Sequence, residues 1–181
     1  MKRAISAVLA AVILMVSCLS GCGGGGDSSW SKDTFPDNSN LSLSATEDEI
    51  AKAQDLVFYE PSKDLSYRIY DLKDGSKTEI AGIKFVSNYR FTPEGDFFSV
   101  AYSIIDVRPE EEIKNIFDTM KKQFDSVYGE AKEFSTDSGH SGYTWDFRDS
   151  KNAPYQALVK TYTSDDGNLY FTAAIEVITE G

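Results

Sequence analysis

Arg108-Pro109-Glu110-Glu111-Glu112-Ile113-Lys114-Asn115-Ile116-Phe117-Asp118-Thr119-Met120-Lys121-Lys122-Gln123-Phe124-Asp125-Ser126-Val127-Tyr128-Gly129 decides the fold class. Ile113, Ile116, Phe117, Met120, Phe124, Val127 and Tyr128 recur at helical spacing and form one apolar stripe over about five turns. Pro109 suits a helix start, and the three glutamates after it lie where the macrodipole is positive. Gly129 is placed as a left-handed stop. The spacing predicts one long amphipathic helix.

On both sides of this helix the period changes from 3.6 to two. Upstream, Phe98, Val100, Tyr102 and Ile104 alternate with Ser99, Ala101 and Ser103, after a turn at Pro93-Glu94-Gly95. Leu65–Leu72 and Thr78–Val86 flank Asp74-Gly75 and read as a hairpin. Downstream, Phe134 marks a short strand, and Tyr143, Trp145 and Phe147 alternate with polar residues. Tyr155–Thr163 and Leu169–Ile178 flank a turn at residues 164–168. Thr46 and Glu49 have capping-box spacing ahead of Ile50, Ala53, Gln54 and Val57, which predicts a short N-terminal helix ending before Pro61. The expected fold is therefore α+β: an antiparallel β-sheet with the long amphipathic helix packed on one face and the short helix at its N-terminus.

Alternation also assigns faces. Tyr67, Ile69, Phe98, Val100, Tyr102, Ile104, Trp145, Phe147, Val159, Leu169, Phe171 and Ile175 are expected to face the long helix. The opposite face then carries Arg68 and Tyr70, Ser99 and Ala101, Asp146 and Arg148, Lys160 and Tyr162, Tyr170 and Thr172. Tyr70, Tyr162 and Tyr170 are the candidate binding residues, because a tyrosine offers apolar area with a polar tip.

The N-terminus follows a different plan. Met1-Lys2-Arg3 is a basic start, and Ala4–Val16 is apolar except for Ser6, too short to span about 30 Å of hydrocarbon. Leu19-Ser20-Gly21-Cys22 follows. This order resembles the lipobox signal peptide of bacterial lipoprotein precursors. The resemblance implies diacylglycerol on the Cys22 thiol, cleavage before it, and often acylation of the new amino terminus. Two or more acyl chains give stable anchoring where one is marginal. It covers the leader alone; no family is recognised for the globular part. Residues 1–21 are expected as signal peptide and 22–44 as a flexible tether rich in Gly, Ser, Asp and Asn. Residues 45–181 then form a single domain. Trp30 and Phe35 are sticky points in that tether, or fold back on the domain.

Cleavage removes Lys2 and Arg3 and no acid, taking the formal charge from −11 to −13. Such a chain is repelled by nucleic-acid phosphates, so a nucleic-acid partner is not expected. Both cysteines precede the domain, which is left without disulfide or thiol chemistry.

Catalytic patterns are thin. His140 is the only histidine, in Ser138-Gly139-His140-Ser141-Gly142, which lacks a nucleophile elbow and reads as a polar loop. Asp137 with His140 falls short of a zinc set, and Asp165-Asp166-Gly167-Asn168 lacks the alternating acids of a calcium loop. No enzyme, metal or cofactor is expected. The expected function is a lipid-anchored envelope lipoprotein, outside the cytoplasm on the cell membrane or outer membrane. Its domain serves as a binding module for an envelope protein or polysaccharide, with a structural or assembly role as the alternative and an enzyme with an unrecognised site as the third reading.

Overall fold

The structure, a computed structural model, describes residues 30–59 and 67–178. Its elements run β1 (Thr34–Phe35), β2 (Asn38–Ser42), α1 (Glu47–Ala53), β3 (Leu56–Tyr59), β4 (Arg68–Leu72), β5 (Thr78–Ile80), β6 (Ile83–Phe91) and β7 (Phe97–Ile104). Then follow α2 (Glu110–Tyr128), β8 (Lys132–Ser135), β9 (His140–Arg148), β10 (Pro154–Thr163) and β11 (Leu169–Val177). The class is α+β and the sheet is antiparallel throughout. Its order is β3-β4-β6-β7-β11-β10-β9-β8, with β5 paired to the start of β6, and β1 and β2 form a separate ribbon.

Register builds the core. Phe85, Tyr89 and Phe91 of β6, Val100, Tyr102 and Ile104 of β7, and Phe171, Ala173 and Ile175 of β11 are all buried on one face. Trp145 and Phe147 of β9 and Tyr155, Ala157 and Val159 of β10 continue it. Helix α2 lies against β9, β10 and β11 and buries Ile113, Ile116, Met120, Phe124 and Tyr128. Trp145 Nε1 donates to Asp125 Oδ1 and to the carbonyl of Gly129, tying the end of α2 to the sheet.

The segment from Trp30 to Ser44, expected as tether, is part of the folded body. Trp30, Phe35, Leu41 and Leu43 are buried, and Phe35 packs edge-on against Phe97. Leu43 N donates to Asp33 O, and Ser150 N donates to the Asp33 carboxylate. Most of all, Asp37 Oδ2 accepts from Tyr89 at 2.7 Å and from Thr78 at 3.0 Å, while Oδ1 accepts from Tyr102 at 2.9 Å. Sequence-distant partners, rather than local periodicity, order this strap.

Three further expectations are corrected. The short helix stops at Ala53, held by the reciprocal Thr46–Glu49 cap, and Asp55 turns the chain at φ 50° into strand β3. Val57 stands on that strand, exposed, and not on a helix stripe. The Asp74-Gly75 hairpin does not form: β4 pairs with β3 and β6, and the tight turn is at Ala81-Gly82, both with positive φ. Gly82 supplies that backbone geometry without strain. Finally, an irregularity opposite Arg90/Phe91 puts Phe97 in the core and turns Phe98 outward, where it stacks on Tyr67 at 4.3 Å.

Candidate functional site

Helix α1, helix α2 and the 30–44 strap all lie on the core side of the sheet: Ile50 is buried, and Gln54 Nε2 donates to Tyr89. Among the described residues no helix covers the other side. That open face is built by the alternate residues of β4, β6, β7, β11, β10, β9 and β8.

Tyr162 and Tyr170 are directly paired across β10 and β11 on this face, and His140 is paired to Tyr162 across β9. The rings form one row, with centroids 5.2 Å apart for His140–Tyr162 and 5.3 Å for Tyr162–Tyr170, the latter stacked at 17°. A hollow of about 430 Å³ opens on one side, lined by Tyr162, Tyr170, Ser103 and the exposed Ile105. A second, of about 370 Å³, lies on the other side and includes His140, Leu158 and Lys160.

Tyr70 does not join them. Its pairing with Tyr89 turns it to the core side, its ring lies 5.4 Å from Phe91, and its hydroxyl donates to Glu47 Oε1 at 2.5 Å. Arg68 shares that side, 2.9 Å from the same Glu47 oxygen. Burial, then the hydrogen bond to the Glu47 carboxylate, pushes the Tyr70 phenol up. The faces assigned to β4 are thus inverted: Ile69 and Asp71 point outward, where Asp71 accepts from Asn88 at 2.8 Å. The signal that would have shown this is the partner of Arg68, an acid on the preceding helix.

His140 is the first residue of β9, not a loop residue. Its expected place in a polar loop followed from the serines and glycines around it, Ser138, Gly139, Ser141 and Gly142. Gly142 follows it on the same face, where an added Cβ would fall 2.0 Å from the Val159 carbonyl oxygen. No other residue fits there without shifting β10.

Charge is distributed unevenly. The open face carries Lys84, Arg90, Lys132, Arg148 and Lys160 against Asp71, Glu79, Asp146 and Glu176, so the two signs are nearly balanced there, with one cation in excess, in a chain of net charge −11. The acids lie mainly on helices and loops, including Glu47, Asp48, Glu94 and Asp96 around a hollow of about 660 Å³ beside Arg68. Among the described residues no three His, Cys, Asp or Glu side chains converge as a metal site, and no helix is long and apolar enough to cross a membrane. Cys22 and the preceding Leu19-Ser20-Gly21 lie outside the described residues, as do residues 23–29 of the expected tether. No family model, curated protein or solved structure matches the chain.

Proposed function

We propose that this chain is a lipid-anchored envelope lipoprotein, held through Cys22, whose domain works without catalysis as a binding module. Its long amphipathic helix α2 and short N-terminal helix α1 cover one face of the sheet and leave the other for an extracytoplasmic partner. The observation that carries the reading is the stacked His140–Tyr162–Tyr170 row on that open face, with a hollow on each side. Solvated sheet faces are usually studded with separate polar side chains, whereas contiguous aromatic area rimmed by polar groups is a mark of recognition surfaces. The near balance of charge on the same face, with one cation in excess, would admit an anionic or polar partner there and would orient the acidic remainder away.

The test has two parts. Mass spectrometry of the mature protein should find an acylated N-terminal Cys22, and Cys22→Ser should abolish both acylation and cleavage; an unlipidated mature chain starting elsewhere sinks the anchor. Tyr162→Ala with Tyr170→Ala should abolish partner capture by cross-linking in intact cells. Both side chains are only half-buried, so stability should fall by no more than about 2 kcal/mol. Capture that survives the double substitution places the site elsewhere.

A further inference from the structure

We infer that the hollow between Phe134 and Lys160 on the open face is a saccharide subsite that takes a sugar ring bearing a carboxylate. This rests on the open face being the partner surface and names the ligand's chemistry there. Gly142 pairs with Lys160 on one side and Phe134 on the other, with His140 and Thr144 next to it along its own strand face. Gly142 is itself buried, and because the close approach of β10 excludes any side chain there, none stands between Phe134 and Lys160. The result is a depression of about 370 Å³ walled by Phe134, Thr136, His140, Thr144, Gln156, Leu158 and Lys160. That volume lies at the small end of ligand sites and suits one or two sugar rings.

The wall chemistry is mixed. Phe134 and Leu158 offer apolar area for the carbon face of a ring. Thr136 and Thr144 offer hydroxyls. Lys160 offers a cation that, among the described residues, has neither hydrogen bond nor ion pair. Its neighbours are already engaged: Lys132 is 2.6 Å from Asp146, and Gln156 Nε2 donates to the same carboxylate at 2.8 Å. A chain of net charge −11 leaves this lysine unneutralised although acids are abundant elsewhere. His140 Nδ1 is likewise buried without a partner at the wall. An apolar floor edged by hydroxyls and one free cation matches an acidic sugar better than a neutral one, which would leave Lys160 unused.

Full-length lipidated protein, extracted in mild detergent, is titrated calorimetrically with three probes. These are an oligogalacturonate, a neutral galactose oligomer of equal length, and a short acidic peptide. The expected result is saturable heat with the oligogalacturonate only. Lys160→Gln should weaken it about tenfold or more, whereas Lys114→Gln, an exposed cation on α2 away from the face, should leave it unchanged. Equal binding of the neutral oligomer, tighter binding of the peptide, indifference to Lys160→Gln, or no heat at millimolar oligogalacturonate would each overturn the inference. In that event, tyrosine-dependent capture in cells would still stand if the broader reading is right, so the two failures are distinguishable.

Discussion

The hydroxyl of Tyr102 donates a hydrogen bond to the carboxylate of Asp37 at 2.9 Å, joining positions 65 residues apart in sequence. Tyr102 is wholly buried on the inner face of β7, so this contact carries the 30–44 strap onto the core. Tyr89 and Thr78 complete the set of donors. One acid thus fixes a segment whose own sequence has no regular period.

Asp37→Ala should therefore destabilise the domain by about 3 kcal/mol, because Tyr102 loses its acceptor in the core and Tyr89 loses one of its two partners. Urea unfolding measures it. A loss under about 1 kcal/mol would mean that the strap is dispensable to the fold.

The same carboxylate should leave a pH signature. Burial pushes the Asp37 carboxyl above its ordinary value of 3.8, outweighing the hydroxyl donors that favour the charged form. A folded value above the unfolded one means the folded state binds the proton more tightly. The stability this contributes is present below the unfolded value and is lost as pH rises through the folded one. Asp37→Asn is neutral throughout, so the stability of wild type relative to it should fall as pH climbs from below 3.8 toward neutrality. A difference that grows with pH would reverse the assignment. The carboxylates lowered by exposed partners, such as Asp106 beside Lys77 and Glu110 beside Lys114, act in the opposite direction and are common to both proteins.

Within α2, burial ranks the substitutions. Phe124 is fully buried against Trp30, Trp145 and Tyr128, whereas Phe117 is half-buried beside Tyr143 and Phe171. Phe124→Ala should cost about 3–5 kcal/mol and Phe117→Ala about 2 kcal/mol by denaturant unfolding. An inverted order would mean that the helix is rotated about its axis.

Gly142→Ala tests the close approach of β9 and β10. Its methyl carbon would stand 2.0 Å from the Val159 carbonyl oxygen, so the strands must part or the register must shift. The expected loss is about 2 kcal/mol or more, with oligogalacturonate binding reduced alongside it. A neutral substitution would show that the strands separate freely.

The α+β class and the antiparallel sheet were legible because their signals are local: alternation in Phe98–Ile104 and Tyr143–Phe147, turn residues at 93–95 and 164–168, helical spacing in 110–128. The strap was not legible. Trp30, Phe35, Leu41 and Leu43 are single apolar residues among polar ones, and the acid that docks them finds its partners on β5, β6 and β7. Faces failed where alternation was ambiguous. Arg68-Ile69-Tyr70-Asp71-Leu72 can bury either parity, and a glutamate on α1 decides between them. Phe97 and Phe98 are adjacent and equally apolar, so only the irregularity at Arg90/Phe91 selects which goes inside. Of the candidate tyrosines, Tyr162 and Tyr170 come together and Tyr70 does not, for that same β4 reason. Gly142 carried no sequence signal, since its role lies in the strand beside it.

The most direct test of the central claim is a photo-cross-linking map in intact cells. A photoreactive residue would be placed in turn at Leu158 and Tyr170 on the open face and at Lys114, exposed on α2. The account predicts a protein or glycan adduct from both open-face positions, absent from the Lys114 position and abolished when Tyr162 is also changed to alanine. An adduct from Lys114 with both open-face positions silent would contradict it.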